Sequence, residues 1–190
     1  MWFDLKPCDL DLCKALPFVL RVEGILPCSS VRAFAILTSS AELSAWMDEC
    51  VHCQWTSGSP HAFGATREVE LTRMRVRERF LAWDVSDTEA RIAFQISATT
   101  LPVATRMIEE VQLRSLSKNE TRIVWTIHYR PSAWIRPVHS FARRAFRRSM
   151  TQSIANLARY AMLEGALPIR ERDPLSPFGR IEGIVDSNLS

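Results

Sequence analysis

Three charged residues interrupt otherwise apolar faces in a long run of alternating sequence: Arg67, Glu78 and Glu109. Arg67 shares its face with Val69 and Leu71, Glu78 with Val76, Phe80 and Ala82, and Glu109 with Met107, Val111 and Leu113. Successive side chains on a strand point to opposite faces, so all three charges are expected to face inward with their apolar neighbours. A charge in such a place is costly unless it is paired or hydrogen-bonded. One guanidinium with two carboxylates makes a self-consistent buried network. The same trio suits two other chemistries. It can orient the polar head of an apolar ligand, or it can hold one carboxyl, Glu78 or Glu109, protonated for acid/base work.

Other chemistry-bearing residues are weaker. His128 and His139 flank a Pro-bounded segment, and an imidazole at a cavity mouth can move protons. His128, however, falls on the face opposite Trp125, and no carboxylate or nucleophile is paired with it in the sequence. Cys50 and Cys53 have the two-residue gap of zinc and redox sites. No second such pair exists, and strand alternation places the two on opposite faces. Inert thiols, no metal and no cofactor are the expectation. Arg143, Arg144, Arg147 and Arg148, with Arg130 and Arg136 upstream, form a basic cluster around Trp134 and Ile135. Such a cluster is either a solvated helix face or a contact for anionic lipid headgroups. No nucleic-acid motif accompanies it, and no nucleic-acid partner is expected.

The elements that position these residues follow from periodicity. Val138 to Leu163 reads as one uninterrupted helix between Pro137 and Gly165. Phe146, Met150, Ile154, Leu157 and Ala161 line one face, Ser153 falls within that stripe, and Arg144, Arg148, Gln152 and Arg159 take the other side. Arg143 lies at the same helical angle as Ala161, so the first turns either overhang the sheet or send guanidiniums toward a cavity. A helix of this kind must cover something, and what precedes it is mostly strand. Phe18 to Ile25 alternates, with Phe18, Leu20 and Val22 on one face. Ser29 and Ser30 cap a helix over Val31 to Leu37, and a second short helix over Ala41 to Asp48 carries Trp46. A strand over Val51 to Thr56 is closed by the turn cluster from Ser57 to Gly64. About sixty residues of period-two pattern follow, through Ala90, Ile92, Phe94 and Ile96 and on to Ile123, Trp125, Ile127 and Tyr129. Short turns between successive strands imply antiparallel neighbours with one apolar face. Pro131 to Pro137 reads as a rigid linker.

The chain of 190 residues is long enough for one sizeable core, and 47% hydrophobic with 24% charged residues is ordinary for a globular protein. A net charge of +3 does not by itself argue for nucleic acid. Lys occurs only at positions 6, 14 and 118, so the basic residues are nearly all Arg. The N-terminus lacks a basic segment followed by an apolar run, and no stretch approaches the ~20 apolar residues of a membrane span, so a cytoplasmic location is the expectation. Five Cys residues, an odd number, fit reduced thiols.

The element order resembles the SRPBCC superfamily, also described as START-like or helix-grip, and its polyketide cyclase/dehydrase-like branch most. The matching residues are Trp46 in the second short helix, Gly64-Ala65-Thr66-Arg67 leading into a strand, and Glu78-Arg79 opening ERFLAWD. Leu101-Pro102 before a strand and Arg122-Ile123-Val124-Trp125 in the last strand complete them. The resemblance spans residues 17–163 and implies an α+β helix-grip fold. In that fold a curved antiparallel sheet of about six to seven strands wraps around the long C-terminal helix, with two short helices after the first strand. Residues 1–16 are set apart as an N-terminal extension and residues 164–190 as a Pro-containing tail.

The expected function is binding of a small or medium hydrophobic ligand of lipid, isoprenoid or aromatic polyketide type between sheet and helix. The expected lining is Arg67, Glu78, Phe80, Phe94, Ile96, Met107, Glu109, Val111, Trp125, Ile127, Met150, Ile154 and Leu157. A cyclase or dehydratase acting through Glu78 or Glu109 in the same cavity is the alternative. An adaptor touching anionic membrane through Arg143, Arg144, Arg147 and Arg148 is the third. Oligomeric state is open.

Overall fold

The computed structural model describes residues 1–57 and 61–166, with side chains as far as residue 163. Eight antiparallel strands run β1 (Phe3–Asp4), β2 (Phe18–Leu26), β3 (Cys50–Trp55), β4 (Thr66–Leu71), β5 (Arg75–Val85), β6 (Glu89–Thr99), β7 (Ala104–Ser117) and β8 (Glu120–Pro131). Two helices, α1 (Ser30–Thr38) and α2 (Leu43–Trp46), follow β2, and α3 (His139–Ala166) ends the described chain. The sheet order is β2-β8-β7-β6-β5-β4-β3, a meander whose first strand closes onto its last, with β1 added to β6.

The expected element order is present, with boundaries moved by local chemistry. Ser29 caps α1, its side chain accepting from the Arg32 amide. The second short helix is a single turn rather than the Ala41–Asp48 segment expected. The supposed linker from Pro131 winds into a 3-10 helix, Ala133–Val138, which leads straight into α3. Gly165 does not end α3, which continues to Ala166. The expected tail, with Pro168, Pro174 and Pro177, lies outside the described residues apart from its first three positions.

Residues 1–16 are no detached extension. β6 pairs with β7 only as far as Gln95 and Ile108, after which the two strands part. The N-terminal segment fills the gap: β1 pairs with Thr99 and Ala98, Leu5 N–H donates to Ser97 O at 2.9 Å, and Lys6 N–H donates to Thr105 O at 2.9 Å. Backbone groups left unpaired by the splay are thereby satisfied. Cys8, Cys13 and Leu16 then bury against Ile108 on the outer face, and the Arg77 guanidinium lies 4.0 Å from the centre of the Trp2 ring.

Helix α3 has two parts. Its C-terminal half lies directly on β2, where a Cβ built at Gly24 would stand 2.6 Å from Ile154 Cγ2. Glycine permits this approach because no side chain intervenes. The N-terminal half stands off the sheet. Among the described residues no helix is long and apolar enough to cross a membrane.

Candidate functional site

Under the raised half of α3 lies a mainly apolar cavity of about 270 Å³. Its walls come from both faces of the grip: β4 to β8 below, α3 above, α2 and Leu37 at one side, and Leu5 of the N-terminal segment at the other. Half-exposed Ile135, Ala142 and Phe146 on one rim and Met47, Leu71 and Met74 on the other mark where it opens.

Nine of the thirteen residues expected to line it do so: Arg67, Glu78, Phe94, Ile96, Met107, Glu109, Val111, Trp125 and Met150. Phe80, Ile127, Ile154 and Leu157 are buried in solid core instead. Phe80 is turned into an aromatic cluster with Trp55, Trp83 and Phe94, while Ile154 and Leu157 belong to the half of α3 that sits on the sheet. Strand alternation assigns the face correctly but does not show where helix and sheet meet without space between them. Leu5, Trp46 and Ser153 also line the cavity and were missed as lining residues. Trp46 and Ser153 carry a signal, since they fall in a recognised motif and within the helix stripe. Leu5 carries none, because its position depends on the splay of β6 from β7.

The three inward charges are all buried, but they do not form one network. Arg67 on β4 faces Glu78 on β5 directly across the ladder, and Arg67 Nε donates to Glu78 Oε2 at 2.7 Å. The guanidinium carbon lies 5.3 Å from the Phe80 ring centre and 5.5 Å from that of Trp55. Arg67 Nη1 and Trp46 Nε1 are buried donors that find no acceptor among the described residues. Burial works against the charge on Arg67, and the Glu78 carboxylate more than offsets it, so the guanidinium titrates above its usual range.

Glu109 stands apart. Val111 faces Trp125 across the β7–β8 ladder, which makes Trp125 the diagonal neighbour of Glu109, and the indole Nε1–H donates to Glu109 Oε2 at 2.9 Å. Burial, aided by the negative charge of Glu78, pushes this carboxyl up to about 8, and the indole and the Arg67 charge only partly oppose it. At neutral pH it is therefore protonated. With Oε2 accepting from Trp125, the protonated carboxyl of this lining residue keeps an O–H of its own to donate.

The linkage has a definite sign. The unfolded carboxyl titrates near 4.5 and the folded one near 8. Between these values the folded state keeps a proton that the unfolded state has lost, so stability falls as pH rises through the window. The loss is absent below 4.5 and complete above 8. Glu109→Gln keeps an acceptor for Trp125 and lacks this titration. Its denaturant midpoint, relative to wild type, is expected to improve steadily from pH 5 to pH 8, by roughly 1 kcal/mol per pH unit. Parallel pH profiles for the two proteins would contradict the buried, neutral Glu109.

The remaining candidates fall outside this chemistry. His128 lies on the outer face, paired in register with Val19 and Ile108. His139 is at the rim, where Tyr129 Oη and His139 Nε2 are 2.9 Å apart and its ring packs on Phe18. Cys50 and Cys53 were expected on opposite faces, yet both are buried inward, because a bulge between Cys50 and His52 inserts a residue and restores a common face. Burial raises both thiols, Cys53 to about 12, which favours the thiol over the thiolate. Among the described residues no group of three or more His, Cys, Asp or Glu is placed to hold a metal ion. Arg143 is on the rim, its Nη2 donating to Val19 O at 2.9 Å.

A curved antiparallel sheet gripping a long C-terminal helix, with an apolar cavity between them, is the helix-grip fold that the sequence led one to expect. The chain belongs to the family described as polyketide cyclase / dehydrase and lipid transport, whose model matches residues 18–162. The uncharacterized protein Rv2574 of Mycobacterium tuberculosis is 23% identical over 160 residues, covering 82% of this chain and 93% of the relative. Among solved structures, the ZhuI aromatase/cyclase from Streptomyces sp. R1128 superposes with a TM-score of 0.66 at 10% identity, covering 78% of this chain and 95% of that one. A START superfamily protein from Mycobacterium smegmatis gives 0.54 at 8% identity, covering 73% and 98%. At such identities these structures show a shared fold.

Proposed function

We propose that the cavity binds a small or medium hydrophobic molecule bearing a hydrogen-bond-accepting oxygen, with that oxygen toward Arg67, Trp46 and Glu109. One observation carries this reading: an otherwise apolar cavity has Arg67, Glu78 and Glu109 among its lining residues, and Arg67 Nη1 and Trp46 Nε1, on two lining residues, are buried donors with no acceptor among the described residues. Buried donors are costly to leave unmet. A neutral Glu109 adds a further donor to the same cavity lining. Lipid, isoprenoid and aromatic polyketide skeletons all suit the walls, and a family description that joins lipid transport to polyketide chemistry is compatible with each.

Native mass spectrometry of the purified protein, with extraction of co-purifying hydrophobes, tests the reading directly. In parallel, Met107→Trp adds bulk at a half-buried wall position. Affinity for a fluorescent fatty acid is expected to fall roughly tenfold or more as the ring takes space the ligand would occupy, with little change in thermal midpoint because it fills existing cavity. Unchanged affinity in that variant would defeat the proposal.

A second reading is favoured by the raised Glu109 alone. A protonated carboxyl deep in an apolar site suits a general acid for a cyclisation or dehydration. In that case Glu109→Gln retains ligand and loses turnover of it.

A further inference from the structure

The segment that roofs the cavity presents two parallel stripes. Ile135, His139, Ala142 and Phe146 point inward and line the cavity. Trp134, Val138, Phe141 and Ala145, each one residue earlier, point outward and are exposed. The exposure is large, 54% for Trp134, 53% for Val138 and 78% for Phe141. Trp134 is held in place, its Nε1–H donating to Pro102 O at 2.7 Å, which sets it beside exposed Leu101. Apolar side chains so far out in water, clustered at one rim, mark an interaction surface.

Charge identifies the partner. Residues 130–163 hold seven of the chain's 24 basic residues and none of its 21 acidic ones. Arg136, Arg144, Arg147 and Arg148 are exposed around the outward stripe and make no ion pair among the described residues. Guanidiniums around an aromatic and aliphatic stripe match the interface of an anionic bilayer, where the rings enter the headgroup layer and the charges meet phosphates. A nucleic acid would use the charges but not Val138 and Phe141. We infer that the 3-10 helix and the first turns of α3 dock on an anionic membrane surface and hold the cavity mouth against it. Docking stands independently of the ligand reading, and only the passage of a ligand between bilayer and cavity rests on it.

The test is co-sedimentation of the full chain with vesicles. Binding is expected to phosphatidylcholine vesicles containing about 30% phosphatidylglycerol, and to collapse when NaCl is raised from about 0.1 M to about 1 M, where screening shortens to roughly 3 Å. The pair Arg144→Gln and Arg148→Gln should weaken it roughly 30-fold, at about fivefold per basic residue. Phe141→Ser should weaken it roughly tenfold or more through lost burial of the ring. Both variants alter exposed side chains, so they should fold and retain fatty-acid affinity, whereas Met107→Trp should keep vesicle binding. Equal binding to pure phosphatidylcholine, or wild-type binding by Phe141→Ser, would overturn docking. Tight binding of a single-stranded oligonucleotide without vesicle binding would also overturn it. Vesicle binding intact with fatty-acid affinity absent in wild type would overturn the ligand reading alone.

Discussion

Glu78→Gln is expected to lower stability by about 3–5 kcal/mol, the cost of removing one partner from a buried ion pair. Arg67 is only 3% exposed and lies between Trp55 and Phe80. Its one salt-bridge partner among the described residues is Glu78, and its Nη1 already has no acceptor among them. Taking away the carboxylate leaves a buried cation with only the faces of Trp55 and Phe80 to offset its desolvation in direct contact. Glutamine offers one neutral acceptor in place of a charge, which meets the hydrogen bond and not the field. The double variant Arg67→Met with Glu78→Leu is expected to recover most of the loss, because replacing a buried pair by apolar residues is often neutral or stabilising. That double variant also separates structure from function: it should fold and bind a fatty acid less well, having lost the polar end of the cavity. A denaturant midpoint for Glu78→Gln within about 0.5 kcal/mol of wild type would show that the guanidinium charge is met elsewhere.

The contrast with Glu109 shows what the sequence could and could not convey. Strand alternation is a local property, so it placed Arg67, Glu78 and Glu109 on the inner face correctly. Partner choice depends on register between strands. Arg67 and Glu78 meet because β4 and β5 align them, and Glu109, two strands further along the sheet, meets an indole instead. Bulges are equally silent in one sequence. The one in β3 turned Cys50 and Cys53 to the same side, against a simple count of two. The order of elements and the helix stripe were legible because they repeat over many residues. The packing of residues 1–16 was not, since it depends on β6 and β7 parting company at Gln95.

Leu157→Ala is the other change expected to act strongly, at about 2–5 kcal/mol. Leu157 is completely buried in the half of α3 that lies on the sheet, where Gly24 lets helix and strand approach. A completely buried site in the main core leaves a truncated side chain's space poorly filled, and poor collapse puts the cost toward the upper part of that range. Met150→Ala tests the same helix over the cavity. Met150 is also buried, yet its side chain faces open space, so its loss enlarges an existing cavity. The expected cost is therefore smaller than for Leu157, although both are apolar residues on one stripe. Arg148→Ala, on the exposed side, should stay within about 0.5 kcal/mol. Denaturant midpoints ordered Leu157, Met150, Arg148 from most to least destabilised would match a helix that is seated at its C-terminal half and raised at its N-terminal half. Equal losses at Leu157 and Met150 would mean that α3 packs uniformly, and the cavity would then have no roof of its own to open.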